Sequence, residues 1–144
     1  MKKVQVSIVL TLLSFFSQGY AQTGQISPAE ITGLYWSPKK DAKIEVYLKG
    51  QQYFGKFVWL ASPRKDIKNR SQALQTRDVL HLEFLTQFSY QDGSYAGGEI
   101  YDPESGKTYS GKMSLEGNKL KVRGYIGISL FGRTEYFERI NSVP

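Results

Sequence analysis

The chain carries one histidine, His81, and no cysteine. These two counts limit the available chemistry. A nucleophile–histidine–acid relay would need His81 to meet partners from distant segments. A thiolate or histidine metal centre lacks ligands, so no metal site is expected. His81 shares the polar side of an alternating stretch with Glu83, which reads as a solvated surface position. Two carboxylates several ångströms apart could hydrolyse a glycoside. Glu99 and Asp102 are the acids of the densest motif, and they define an enzyme reading that ranks last. Asp102-Pro103-Glu104-Ser105-Gly106 reads first as a β-turn with proline at its second corner. No glycine-rich loop opens a helix, so no phosphate cradle is expected. No catalytic residue and no cofactor are assigned.

What remains is aromatic: 10 Tyr, 8 Phe and 2 Trp. Such rings either fill a small barrel or line a pocket in which hydroxyls orient a ligand. The candidate ligand-binding set is Tyr53, Phe57, Trp59, Tyr101 and Tyr109. The stretch from Gln52 to Leu60 is apolar on both faces. If it is a regular strand, Tyr53, Phe57 and Trp59 form one continuous strip looking inward. The opposite choice would put Lys56 inside with Phe54, Val58 and Leu60, and an unpaired lysine there is costly.

These side chains must be positioned by strands. Turn signals at Lys49-Gly50-Gln51, Asp92-Gly93-Ser94, Glu104-Ser105-Gly106 and Glu116-Gly117-Asn118 punctuate the chain. Between them the period is two. Ile44, Val46 and Leu48 alternate with polar or amphipathic neighbours. Val79 to Tyr90 reads as one strand with its even residues, Phe84 and Phe88 among them, inside. Lys107 to Leu115 and Lys119 to Ile126 alternate likewise, and Ile31 to Trp36, Tyr95 to Asp102 and Arg133 to Ile140 complete about eight strands. The expected class is all-β, an antiparallel barrel or sandwich. Glycines at 55, 97, 98, 111, 124 and 132 suit the bends and bulges of a closing barrel. Residues 62–78 are polar and read as a long loop with a turn of helix near Gln72 to Thr76.

The first residues point to export. Lys2 and Lys3 precede an apolar run from Val4 to Phe16, and Gly19 and Ala21 fit the small-x-small rule. Residues 1–21 are expected to be a signal peptide cleaved after Ala21, and 22–144 a single domain. The run is too short for the roughly 20 apolar residues of a membrane span. The formal charge is +6 and the pI near 9.4. The cations are spread rather than striped, so nucleic acid is not an expected partner.

The motifs GGEIYDPESGKTYSGK from Gly97, VRGYIG from Val122, FGRT from Phe131, GLYWSPKKDAKIEVY from Gly33 and YFGKFVWL from Tyr53 resemble an uncharacterised exported bacterial domain-of-unknown-function family, DUF2147. The resemblance covers nearly all of 22–144. It implies a lipocalin-like antiparallel barrel in the periplasm, with secretion as second choice, a small internal cavity and no enzymatic activity. Lipocalins have a Gly-x-Trp on the first strand and a late basic residue over the tryptophan. Gly33-Leu34-Tyr35 puts tyrosine there, with Trp36 next and Arg139 as the late base, so Gly33, Tyr35, Trp36 and Arg139 are the candidate barrel-closing residues. Glycine often stands at the family position of His81, which implies that the histidine has no family role. The leading expectation is non-enzymatic binding of a small apolar or amphipathic molecule. The alternative is a structural or interaction component of the envelope with a filled barrel, and the third an envelope enzyme.

Overall fold

The computed structural model describes residues 28–141, and the expected signal segment lies outside them. A 3₁₀ turn, Pro28–Ile31, precedes eight strands: β1 Gly33–Trp36, β2 Ala42–Lys49, β3 Gln52–Leu60, β4 Glu83–Gln91, β5 Ser94–Asp102, β6 Lys107–Glu116, β7 Lys119–Tyr125 and β8 Arg133–Arg139. Each pairs antiparallel with the next, and β8 returns to β1 through Tyr35↔Arg139 and Trp36↔Glu138, closing a barrel. Closure leaves no long open sheet edge and encloses one interior. Ile44 and Val46 fill it from β2, Tyr95 from β5, Met113 from β6 and Leu120 from β7, all buried. The alternation read in the sequence is therefore real over most of the sheet.

Three irregularities change which side chains enter. In β3, Phe57 faces Ile44 but Trp59 faces Lys43, so Val58 is an extra residue. The bulge breaks the expected strip: Tyr53 and Phe57 are buried inside, whereas Trp59 stands 41% exposed on the outer wall. In β4, Lys56 pairs with Glu83 and Gly55 with Leu85, so Phe84 is inserted and adjacent Phe84 and Leu85 are both buried. A second bulge at Gln87, φ 60°, restores Phe88 to the interior opposite Tyr53. Thr86, expected inside, is thereby left outside the core.

The strand expected from Val79 begins only at Glu83. Residues 61–82 form one long connection, with Val79 buried as its anchor and a 3₁₀ turn at Gln72–Leu74. His81 is exposed, as the sequence suggests, but it lies at a turn with φ 69°, its N–H donating to the Phe57 carbonyl at 2.8 Å. A left-handed backbone there is the conformation glycine adopts without cost.

The connections divide the barrel into two ends. Tight turns 49–52, 91–94 and 116–119, with the Pro28–Ile31 turn, gather at one end. The longer connections 37–41, 61–82, 103–106 and 126–132 gather at the other, which stays open.

Candidate functional site

The closed end is plugged by aromatic packing. Arg139 lies over the Tyr35 ring, 4.9 Å from its centroid, a contact worth about 0.5–2 kcal/mol. Its guanidinium donates to the Thr32 carbonyl at 2.9 Å and to the Glu30 carbonyl, which ties the 3₁₀ turn to β8. The Tyr35 hydroxyl donates to the Ile31 carbonyl at 2.7 Å. Burial pushes the Tyr35 phenol up to about 12, against the opposing pull of Arg139, so the ring under the cation is neutral. Gly33, at φ 138°, has the Arg139 guanidinium where a side chain would go: a Cβ would sit 2.9 Å from Nη1. Trp36 takes no part in this plug. It stands outside, edge-on to Trp59 at 5.7 Å, with Lys43 Nζ 4.6 Å from its ring. Tyr53 belongs to the plug rather than to a pocket, packing edge-on against Tyr95 at 4.9 Å.

Above the plug the barrel is hollow. A cavity of about 310 Å³ runs inward from the open end. Its inner walls are Phe57, Phe84, Ile100, Val122 and Phe137, with the Phe57 and Phe84 rings stacked at 4.3 Å. Polar residues line it from the strands as well: Tyr101, Asp102, Tyr109, whose hydroxyl has no hydrogen-bond partner among the described residues, and the Arg133–Glu135 pair, 3.2 Å apart. A wider hollow of about 420 Å³ lies along β8, but it is open and lined by charged side chains such as Lys40 and Glu138, which pair with each other. It runs along the outside of β8, whereas the 310 Å³ cavity has charged side chains such as Lys39, Arg64 and Glu104 at its mouth and apolar walls farther in.

Tyr101 borders this cavity in a structural role. Its hydroxyl donates to Asp66 at 2.6 Å and accepts from Asn69 at 3.0 Å. Asp66 is fully buried and also receives Arg77 Nε at 2.9 Å and Asn69 Nδ2 at 2.9 Å. The cluster straps connection 61–82 to the barrel beside the mouth. Burial raises the Asp66 carboxyl, but the hydrogen bonds from Tyr101, Asn69 and Arg77 outweigh it and hold the group below its ordinary range.

The structure therefore brings Phe57 and Tyr109 of the candidate set to one cavity, with Tyr101 at its border, and separates Tyr53 and Trp59 from it. Glu99 and Asp102 do not converge. Glu99 is exposed on the outer wall opposite Ser110. Asp102 accepts from Glu104 N–H and the Ser105 hydroxyl in its own turn, a five-residue turn closed by Gly106 N–H on the Asp102 carbonyl rather than the expected β-turn. Among the described residues no three His, Cys, Asp or Glu side chains gather as a metal-ligand set, and no helix is long and apolar enough to cross a membrane. The sequence reading missed Phe84, Ile100, Val122, Glu135 and Phe137 as cavity residues. The alternation of Arg133, Glu135 and Phe137 was the available signal, hidden because two of the three are charged.

Comparison with known proteins agrees with this architecture. Protein HP1028 from the human pathogen Helicobacter pylori, described as belonging to the lipocalin family, superimposes with a TM-score of 0.71 at 19% identity, over 82% of this chain and 86% of that one. At that identity the likeness shows the fold. No curated protein matches. The profile of a family described as "Uncharacterized protein conserved in bacteria (DUF2147)" matches residues 33–139, the whole barrel from Gly33 to Arg139, and the chain belongs to that family.

Proposed function

We propose that this protein binds a small, partly apolar molecule in the upper half of its barrel and performs no chemistry on it. The observation that carries this reading is the 310 Å³ cavity, whose inner walls are Phe57, Phe84, Ile100, Val122 and Phe137, with Tyr109 among its lining residues. That volume lies at the small end of the roughly 300–1,000 Å³ of small-molecule sites. The fitting ligand is one short acyl chain or a compact aromatic metabolite, not a whole phospholipid. The wall contributes apolar contact, and Tyr109 and Glu135 orient a polar end. A filled barrel acting only through its outer surface fits the plugged end but leaves this hollow without a purpose.

Native mass spectrometry of protein purified from its host identifies a retained ligand, and titration with fatty acids and aromatic metabolites measures affinity. Ile100→Trp, which grows a cavity wall residue into the hollow, should weaken binding at least about tenfold, or 1.4 kcal/mol. The fold should survive, because Ile100 is only half-buried. Unchanged affinity in Ile100→Trp would move the site out of the lumen.

Residence in the periplasm rests on the export signal read at residues 1–21. The exported protein should begin at Gln22, and its intact mass checks this. A mass retaining Met1 to Ala21 would remove the support for that location.

A further inference from the structure

We propose that the open end of the barrel docks on an anionic membrane surface, with the β7–β8 connection as the inserting tip. In that connection Ile126, Ile128, Leu130 and Phe131 are 72%, 59%, 75% and 80% exposed. Single exposed apolar side chains are ordinary, but four large ones within six residues on one loop are not. The loop's backbone is already provided for. Arg123 donates from Nε to the Ser129 carbonyl at 2.7 Å and from Nη2 to the Leu130 carbonyl at 3.1 Å. Phe131 and Gly132 N–H groups donate back to Ile128 and Ser129. In water such pairing is optional. At the headgroup boundary, where solvent partners thin out, it removes much of the cost of entry.

Charge at the same end selects the surface. The four connections of this end carry seven Lys and Arg against three Asp and one Glu. Lys39, Lys68 and Arg70 are exposed and have no acidic partner among the described residues. Ile67, beside Lys68, is also exposed. The outer wall near this rim presents Trp36 and Trp59 with Lys43 between them, an aromatic and basic pairing suited to a headgroup layer. The apolar loop 126–132 carries no charge of its own, and the unpaired cations stand on other connections of the same end, an arrangement that fits acyl chains beneath anionic headgroups. The proposal does not require the lumen to hold a ligand.

The test uses protein spanning residues 22–144, so that the apolar N-terminal run plays no part. It is sedimented with vesicles of phosphatidylethanolamine and phosphatidylglycerol, and with phosphatidylcholine alone. Binding should favour the anionic vesicles and weaken with salt. Leu130→Ser/Phe131→Ser should lower it at least about tenfold, with an unchanged thermal melt. Lys68→Glu/Arg70→Glu should weaken it and flatten its salt dependence. As a second measurement, Phe131→Cys, the chain's one thiol, carries an environment-sensitive dye on the loop with Trp36 and Trp59 kept. Its emission should shift to the blue and be quenched by brominated lipid. No binding to either vesicle, equal binding by the serine variant, or an unshifted emission from the loop dye overturns the proposal. So does a dimer that the serine variant dissociates, because a second copy would then cover the loop.

Discussion

Gly98→Val should cost more than about 4 kcal/mol, the range reached only when a core clash has no escape. The Phe88 ring is fully buried and lies flat against two glycines on neighbouring strands. A Cβ at 98 would fall 2.4 Å from Phe88 Cδ2 and 2.6 Å from the Thr86 carbonyl oxygen. One of these obstacles is backbone, paired in the β4–β5 ladder through Thr86↔Glu99, so it cannot swing aside. Gly111, paired with Gly98 across the β5–β6 ladder, lies under the far end of the ring, where a Cβ would meet Phe88 Cζ at 2.6 Å. With total stability of about 5–15 kcal/mol for a domain, such a loss removes a large share of it. Gly124→Ala is the matched control: its nearest neighbour would be Tyr109 Cβ at 3.5 Å, an ordinary contact, and it should shift stability by less than about 0.5 kcal/mol. Urea melts of both variants decide the matter. A Gly98→Val protein that melts with wild type would show that Phe88 can leave its seat freely.

That ring also marks the limit of what the sequence discloses. The period-two pattern places Ile44, Val46, Phe84 and Phe88 inside, because side-chain direction along a strand is a local rule. The Tyr35–Arg139 plug was legible from the family resemblance, since its partners sit at the ends of the matching motifs. Trp59 was not legible. Its facing depends on Val58 being squeezed out between Phe57 and Lys43's partner, an event decided by packing across strands. The same holds for Phe84 and Gln87, whose bulges let adjacent residues share one face. Of the candidate pocket set, Tyr109 and Phe57 reach the hollow because their strands are regular up to that point. Tyr101 lies one residue beyond Ile100, on the opposite parity, and so meets the loop instead. Connection 61–82 reads as polar and featureless because, besides Val79, its order rests on a buried aspartate, and composition does not reveal which of its charges is buried.

Asp66→Ala should therefore cost about 3 kcal/mol, the lower end of the range for breaking a buried ion pair. The lower end applies because Arg77, unlike Asp66, is partly solvated and regains water when its partner goes. The Tyr101 hydroxyl and the Asn69 amide lose an acceptor at the same time. The loss should fall first on 61–82, seen as faster amide exchange there while the strands stay protected. The pH dependence gives a second signature. The folded-state carboxyl lies below its ordinary value of 3.8, so the native protein binds fewer protons than the unfolded chain. Its contribution is fully present above 3.8 and disappears as pH falls through the folded value. Wild type should lose stability along that limb, and Asp66→Ala should lose less, other carboxylates such as Glu83 titrating in both. The difference between the two acid melts isolates Asp66. Tyr101→Phe removes one donor without emptying the site, so it should cost only about 1 kcal/mol and raise the midpoint of the acid transition. Parallel acid limbs in wild type and Asp66→Ala would mean that the strap holds through shape alone. In that case the loop should tolerate alanine at 66 with its exchange rates unchanged.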